Sequence, residues 1–116
     1  NIDVEFAIDQ GLHVINTPNA TSNAIAELVF AHLFGMVRFL HQSNREMPLE
    51  GDLNFNILKR TFSAGTELRG KTLGIIGFGT VGQEVAKIAI GCGMNVIASD
   101  PFMEQIGIFM SPSSSK

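Results

Sequence analysis

The chain has 116 residues, 45% hydrophobic and 16% charged, which is enough for one compact globular unit. Its net charge of -3 argues against a nucleic-acid partner, because such binding normally needs a basic face. A single cysteine, Cys92, cannot form an internal disulfide, which favours a reducing, cytoplasmic setting. The longest apolar stretch, residues 24–40, contains Glu27, His32 and Arg38, so it predicts a buried helix and no membrane association.

The first part of the chain predicts two helices joined by a short strand. Residues 4–10 form the first helix, with Asp3 as its N-cap and Gly11 as its C-terminal stop. Residues 12–16 are predicted to form a strand. A long helix then covers residues 23–42, and because it is apolar nearly all round, it needs cover from the sheet and from another subunit.

Helical periodicity is lost in the next segment. Residues 43–66 contain Pro48 and Gly51 and predict an irregular arm, long for a connection within a compact domain. Phe55 and Phe62 give this arm apolar side chains to bury. We therefore expect it to dock on a partner.

The strongest signal is a glycine motif between a strand and a helix. Residues 72–76 predict a strand, and Gly77, Gly79 and Gly82 follow it in the spacing Gly-x-Gly-x-x-Gly. A second strand is predicted over residues 95–99, and a weaker third one over 106–110. The helix after the motif turns one apolar face to the sheet, formed by Val81, Val85, Ile88 and Ala89.

Strand, glycine turn, helix and strand in this order are the fingerprint of a dinucleotide-binding unit. Gly77 permits the tight turn, Gly79 lets a pyrophosphate approach the main chain, and Gly82 lets the helix lie close to the sheet. Asp100, after the second strand, is suited to the adenosine ribose hydroxyls and would repel the extra phosphate of NADP, which favours NAD. FAD proteins share this fingerprint, and a purely structural glycine turn is the other alternative.

Residues 65–77, Gly-Thr-Glu-Leu-Arg-Gly-Lys-Thr-Leu-Gly-Ile-Ile-Gly, make the resemblance specific. This run resembles the D-2-hydroxyacid dehydrogenase family. Further matches lie at residues 1–3, 14–19, 26–28, 93–94 and 100–102. The resemblance implies an α/β fold, with a Rossmann-like parallel sheet and flanking helices, incomplete as the first half of a doubly wound domain. We expect this partial domain to cover residues 1–110, followed by a disordered tail over 111–116.

In that family a hydride moves between NAD and C2 of a 2-hydroxy acid, and the similarity is greatest to members that use 3-phosphoglycerate in serine biosynthesis. The resemblance implies a homodimer formed through helix 23–42 and arm 43–66. It also implies that Asn1 borders the substrate site and that Lys59 or Arg60 approaches the substrate phosphate across the dimer. The residues that it assigns to NAD are Gly77, Phe78, Gly79, Thr80, Val81, Gly82 and Asp100.

The chain also departs from the family. Thr80-Val81 stands where the family usually has Arg-Ile, so one charged phosphate contact is missing. The catalytic arginine, glutamate and histidine of the family lie beyond the second strand, and no segment here resembles theirs. No catalytic residue or metal site is therefore assigned, and His13, His32 and His41 are interpreted as structural or surface residues. We expect a piece of a longer enzyme that is inactive alone; a non-catalytic NAD-binding or dimerisation module and a truncated, non-functional product are the alternatives.

Overall fold

A computed structural model describes residues 2–102 and the backbone of 107–109. The element order is α1 Val4–Asp9, α2 Ser22–Val37, α3 Leu40–Phe62, β1 Thr72–Ile76, α4 Thr80–Gly91, β2 Asn95–Ser99 and β3 Gly107–Phe109. β1 and β2 are parallel, with Thr72 opposite Asn95 and Ile76 opposite Ser99. β3 pairs with the other edge of β2, in the antiparallel direction. The expected α/β fold with a parallel β1–β2 pair is confirmed, whereas the third strand departs from a purely parallel sheet. The tail 111–116 lies outside the described residues.

The core lies between α2, α4 and the sheet. Ala26 and Phe30 of α2 pack against α4, and they belong to the same buried cluster as Val96 of β2, which is fully buried. The predicted inner face of α4 is confirmed, because Val85 and Ala89 are buried and the two other predicted residues pack against the same cluster. This packing holds α4 in place, so that its N-terminus follows the carboxyl end of β1 after only three residues, 77–79.

The first helix forms as predicted, but the strand expected over residues 12–16 is wrong. Asp3 caps α1 by accepting a hydrogen bond from the amide of Phe6 at 3.0 Å, and Gly11 adopts the left-handed φ of 75°. Residues 12–16 carry no regular structure, and Ile15 is 86% exposed. A strand needs a neighbour to satisfy its backbone, and none pairs with these residues in the described part of the chain.

The boundaries predicted for the long helix and the arm are also wrong. α2 ends at Val37, where Phe39 adopts a left-handed conformation (φ 56°), and α3 then runs to Phe62. The arm is thus largely helical. Its apolar residues Leu49, Leu53 and Ile57 recur every fourth position, a helical period that outweighs the proline and glycine between them.

α3 folds back on itself at Asn54, whose φ and ψ of -119° and 22° are not helical. A straight helix of 23 residues would be about 35 Å long. The ring of Phe39, which precedes α3, and the ring of Phe62, which ends it, are nevertheless only 6.5 Å apart between centroids. The amide of Thr66 then donates to the carbonyl of Val37 at 2.9 Å. Residues 39–65 therefore form a projecting lobe, whose first and last residues lie close together beside the core.

The chain is more extended than the compact unit expected from its composition. Its radius of gyration is 20.7 Å, whereas a compact chain of this length has about 13 Å. Only one face of α2 meets α4, and its other apolar side chains are exposed in the single chain: Ile25, Leu28, Val29, Phe34 and Met36. Among the described residues, no single helix is long and apolar enough to cross a membrane, and α2 and α3, bent by 51° at their junction, meet that test only as a pair.

Candidate functional site

The site is built where β1 ends and α4 begins. Gly77 follows β1 with a φ of 95°, which a residue with a side chain rarely adopts. A Cβ on Gly82 would collide with the carbonyl oxygen of Gly77 and lie 3.4 Å from a methyl group of Ile75. These two glycines therefore allow the sharp turn and the close approach of α4 to the sheet.

Gly79 meets a different requirement. It is the N-cap of α4, and no side chain forms a capping hydrogen bond there. A Cβ built on Gly79 would have no heavy atom within 4 Å, so internal packing does not require glycine at this position. The open space lies beside the first turn of α4, which contains no acidic residue. Helix N-termini attract anions through their partial positive charge, and the exposed backbone here suits a phosphate.

Asp100 ties the turn to the end of β2. Its Oδ2 accepts a hydrogen bond from the amide of Phe78 at 2.6 Å, and its Oδ1 accepts one from the amide of Phe102 at 2.9 Å. Next to it, the carbonyl of Ser99 accepts a hydrogen bond from the amide of Gly77 at 2.7 Å. The predicted acid and the predicted glycine turn thus lie in direct contact.

A polar cleft of about 290 Å³ lies beside the N-terminus of α4. Its lining residues are Asn19, Ser22, Asn23, Thr80, Gln83 and Glu84. Except for Thr80, none of these was predicted to belong to the site. The only signal for them in the sequence is a run of asparagine, threonine and serine before α2, a composition typical of helix N-caps. Thr21 occupies the N-cap position but its side chain forms no capping hydrogen bond.

The structure does not bring the predicted substrate residues together with the glycine turn. Lys59 and Arg60 lie exposed in the last turn of α3, on the projecting lobe. Asn1 lies outside the described residues. A larger cleft of about 610 Å³ lies at the junction of α2 and α3, where its lining includes His32 and His41. Both histidines are exposed, and no group of three or more potential metal ligands occurs within the part of the chain that is described.

Comparison with known proteins decides the family. The sequence pattern described as "D-isomer specific 2-hydroxyacid dehydrogenase, NAD binding domain" matches residues 30–111. The chain belongs to this family. Its resemblance to D-2-hydroxyacid dehydrogenases is thereby confirmed.

Individual relatives agree with this assignment. The chain is 44% identical to a hydroxypyruvate reductase of Thermotoga maritima, covering 87% of this chain and 31% of the relative. It is 40% identical to a D-3-phosphoglycerate dehydrogenase of Methanocaldococcus jannaschii, covering 89% of this chain and 18% of the relative. A crystal structure of the TT0316 protein from Thermus thermophilus has a TM-score of 0.69 at 30% identity, over 89% of this chain and 32% of that one. The chain thus spans less than a third of the curated relatives that it matches.

NAD is the cofactor of this D-2-hydroxyacid dehydrogenase domain, and the geometry of the turn fits it. The open backbone at Gly79 and the N-terminus of α4 suit the pyrophosphate. The Asp100 carboxylate has about four lone-pair positions, of which the two amide donors use two. Acceptor capacity therefore remains for the hydroxyl groups of a ribose.

Proposed function

We propose that this chain is the NAD-binding portion of a D-3-phosphoglycerate dehydrogenase. The whole enzyme would move a hydride between NAD and C2 of 3-phosphoglycerate, in serine biosynthesis. The direct contact between the glycine turn and Asp100 carries the cofactor part of this proposal. Phosphoglycerate dehydrogenases among the relatives support the substrate part. A single cysteine suits a reducing, cytoplasmic compartment.

In this proposal the glycine turn binds the pyrophosphate of NAD, and Asp100 binds its adenosine ribose. The pyrophosphate lies against the backbone of Gly77, Phe78, Gly79, Thr80, Val81 and Gly82. Asp100 accepts hydrogen bonds from the adenosine ribose and repels a 2′-phosphate. Bound NAD would supply the hydride acceptor for the proposed reaction.

The cofactor proposal predicts selectivity for NAD over NADP. The extra phosphate of NADP would lie close to the Asp100 carboxylate, so we expect NAD to bind at least about tenfold more tightly. Calorimetric titration of the chain with each dinucleotide measures this ratio. The variant Asp100→Asn removes the charge and should bring the affinities for NAD and NADP closer together. Asp52→Asn, which removes a charge from the exposed surface of α3, is the matched control. Equal affinities for NAD and NADP in the unmodified chain would contradict the proposal.

Lys59 and Arg60 are proposed to approach the substrate phosphate across a homodimer formed through α2 and the lobe. Their support is position and charge, since both are exposed cations at the end of α3. A hydroxypyruvate reductase is the second candidate, because of the 44% identity to such a relative. The two substrates differ in that only 3-phosphoglycerate carries a phosphate. In the intact enzyme, replacing both cations by methionine should raise the KM for 3-phosphoglycerate and leave that for hydroxypyruvate unchanged.

Unaltered KM values for both substrates would contradict the proposed role of these two cations. A preference of the unmodified enzyme for hydroxypyruvate would instead favour the second candidate. The chain alone is expected to produce no NADH from 3-phosphoglycerate, because the catalytic residues implied by the family resemblance are absent from it. NADH absorbance at saturating NAD measures this directly.

A further inference from the structure

Asp100 uses both of its carboxylate oxygens on its own backbone. One bond crosses 22 residues of sequence to the amide of Phe78 at 2.6 Å, and hydrogen bonds to an ionised acceptor are stronger than those between neutral groups. The other reaches the amide of Phe102, two residues on, at 2.9 Å. Because the side chain is half-buried, the first bond is partly shielded from water. The carboxylate is thus engaged by the protein itself, independently of any cofactor.

These bonds act on the part of the site that is richest in glycine. Phe78 lies between Gly77 and Gly79, and glycine loses more conformational freedom on ordering than any other residue. Two successive turn residues are held by two successive residues at the end of β2, since Gly77 donates to Ser99 and Phe78 donates to Asp100. The backbone that faces the open space at Gly79 is therefore ordered before an anion arrives.

We propose that Asp100 is a positioning residue for the pyrophosphate-binding turn, in addition to its contact with the ribose. This inference rests on the proposed binding of NAD by the same site. The two roles are compatible, because the two amides leave about half of the acceptor positions of the carboxylate unused. They are also separable, because the turn is held in the cofactor-free chain whereas the ribose contact exists only in the complex.

The first test measures the turn without any ligand. Amide hydrogen exchange at Phe78 is followed by NMR in the unmodified chain, in Asp100→Asn and in Asp100→Ala. Alanine removes the acceptor, so exchange should accelerate by roughly tenfold, and asparagine, which keeps one carbonyl oxygen, should give an intermediate rate. Unchanged exchange at Phe78 in both variants would overturn the proposal. If the alanine variant fails to fold, the asparagine variant still decides the question.

The second test separates the two roles by ligand. Inorganic pyrophosphate contains no ribose, so a residue that touches only ribose cannot affect its binding through contact. Asp100→Asn and Asp100→Ala undergo the same loss of charge and differ in the hydrogen-bond acceptor. We expect pyrophosphate to bind about fivefold more weakly to the alanine variant than to the asparagine variant. Equal affinities would overturn the positioning role.

The two tests also distinguish a failure of this inference from a failure of the proposed function. If the unmodified chain binds no dinucleotide, the proposed function fails, whereas the exchange rate at Phe78 still reports on the turn. If NAD binds but exchange at Phe78 does not respond to either substitution, only the positioning role fails.

Discussion

The three glycines of the motif are required for different physical reasons. Gly77 needs its left-handed φ of 95°, and Gly82 needs the absence of a Cβ because the Gly77 carbonyl occupies that position. Gly79 satisfies neither description, since its backbone is ordinary and the space around a Cβ is empty. Its position at the N-terminus of α4, where backbone amides attract anions, supports the close approach of a phosphate as the reason for this glycine.

Alanine substitutions should therefore separate stability from binding. Gly82→Ala forces a Cβ against a backbone carbonyl, so we expect the free energy of unfolding to fall by about 2 kcal/mol. Gly79→Ala should change stability by less than about 1 kcal/mol while weakening NAD, because the methyl group projects into the ligand space. Urea titration gives the first quantity and calorimetry with NAD gives the second. If Gly79→Ala binds NAD as tightly as the unmodified chain does, the pyrophosphate does not lie against Gly79.

At the scale of elements, sequence patterns predicted the helices and strands whose formation depends on residues close together in the chain. β1 and β2 were predicted with their observed bounds and α4 by its inward face, because a short apolar run, the glycine motif and the helical spacing are each encoded within a few residues. The lobe was not predicted, because its shape depends on a contact between Phe39 and Phe62 that no local pattern encodes. Likewise, the sequence predicted Asp100 as a ribose ligand, but its bond to Phe78 required knowledge of which backbone atoms meet.

The lobe contains a matched pair of leucines that tests its packing. Leu58 is 6% exposed and Leu53 is 86% exposed, on opposite sides of the kink at Asn54. Leu58→Ala should lower the free energy of unfolding by about 2–4 kcal/mol, whereas Leu53→Ala should cost less than about 0.5 kcal/mol in the dilute chain. Chemical denaturation followed by circular dichroism measures both. Equal losses in the two variants would mean that the lobe does not fold back as described.

At the scale of the whole molecule, the chain covers little of its own apolar surface. Both α2 and α3 expose large apolar side chains, and the radius of gyration of 20.7 Å is well above that of a compact chain of this length. Monomeric proteins rarely expose large contiguous apolar patches, because water penalises them. A covering partner is therefore expected, and the family resemblance implies that it is a second copy of the chain.

A homodimer through α2 and the lobe predicts a specific dependence on the exposed leucines. Leu49 and Leu53, which are 81% and 86% exposed, lie one helical turn apart on α3. Replacing both with aspartate would place charges in the proposed interface, so sedimentation should show at least about a hundredfold weaker dimerisation. Asn56→Asp adds charge at an exposed polar position of the same helix and serves as the control. A dimer that persists unchanged in the double variant would place the interface away from the lobe, and a monomer at every concentration of the unmodified chain would rule out the dimer altogether.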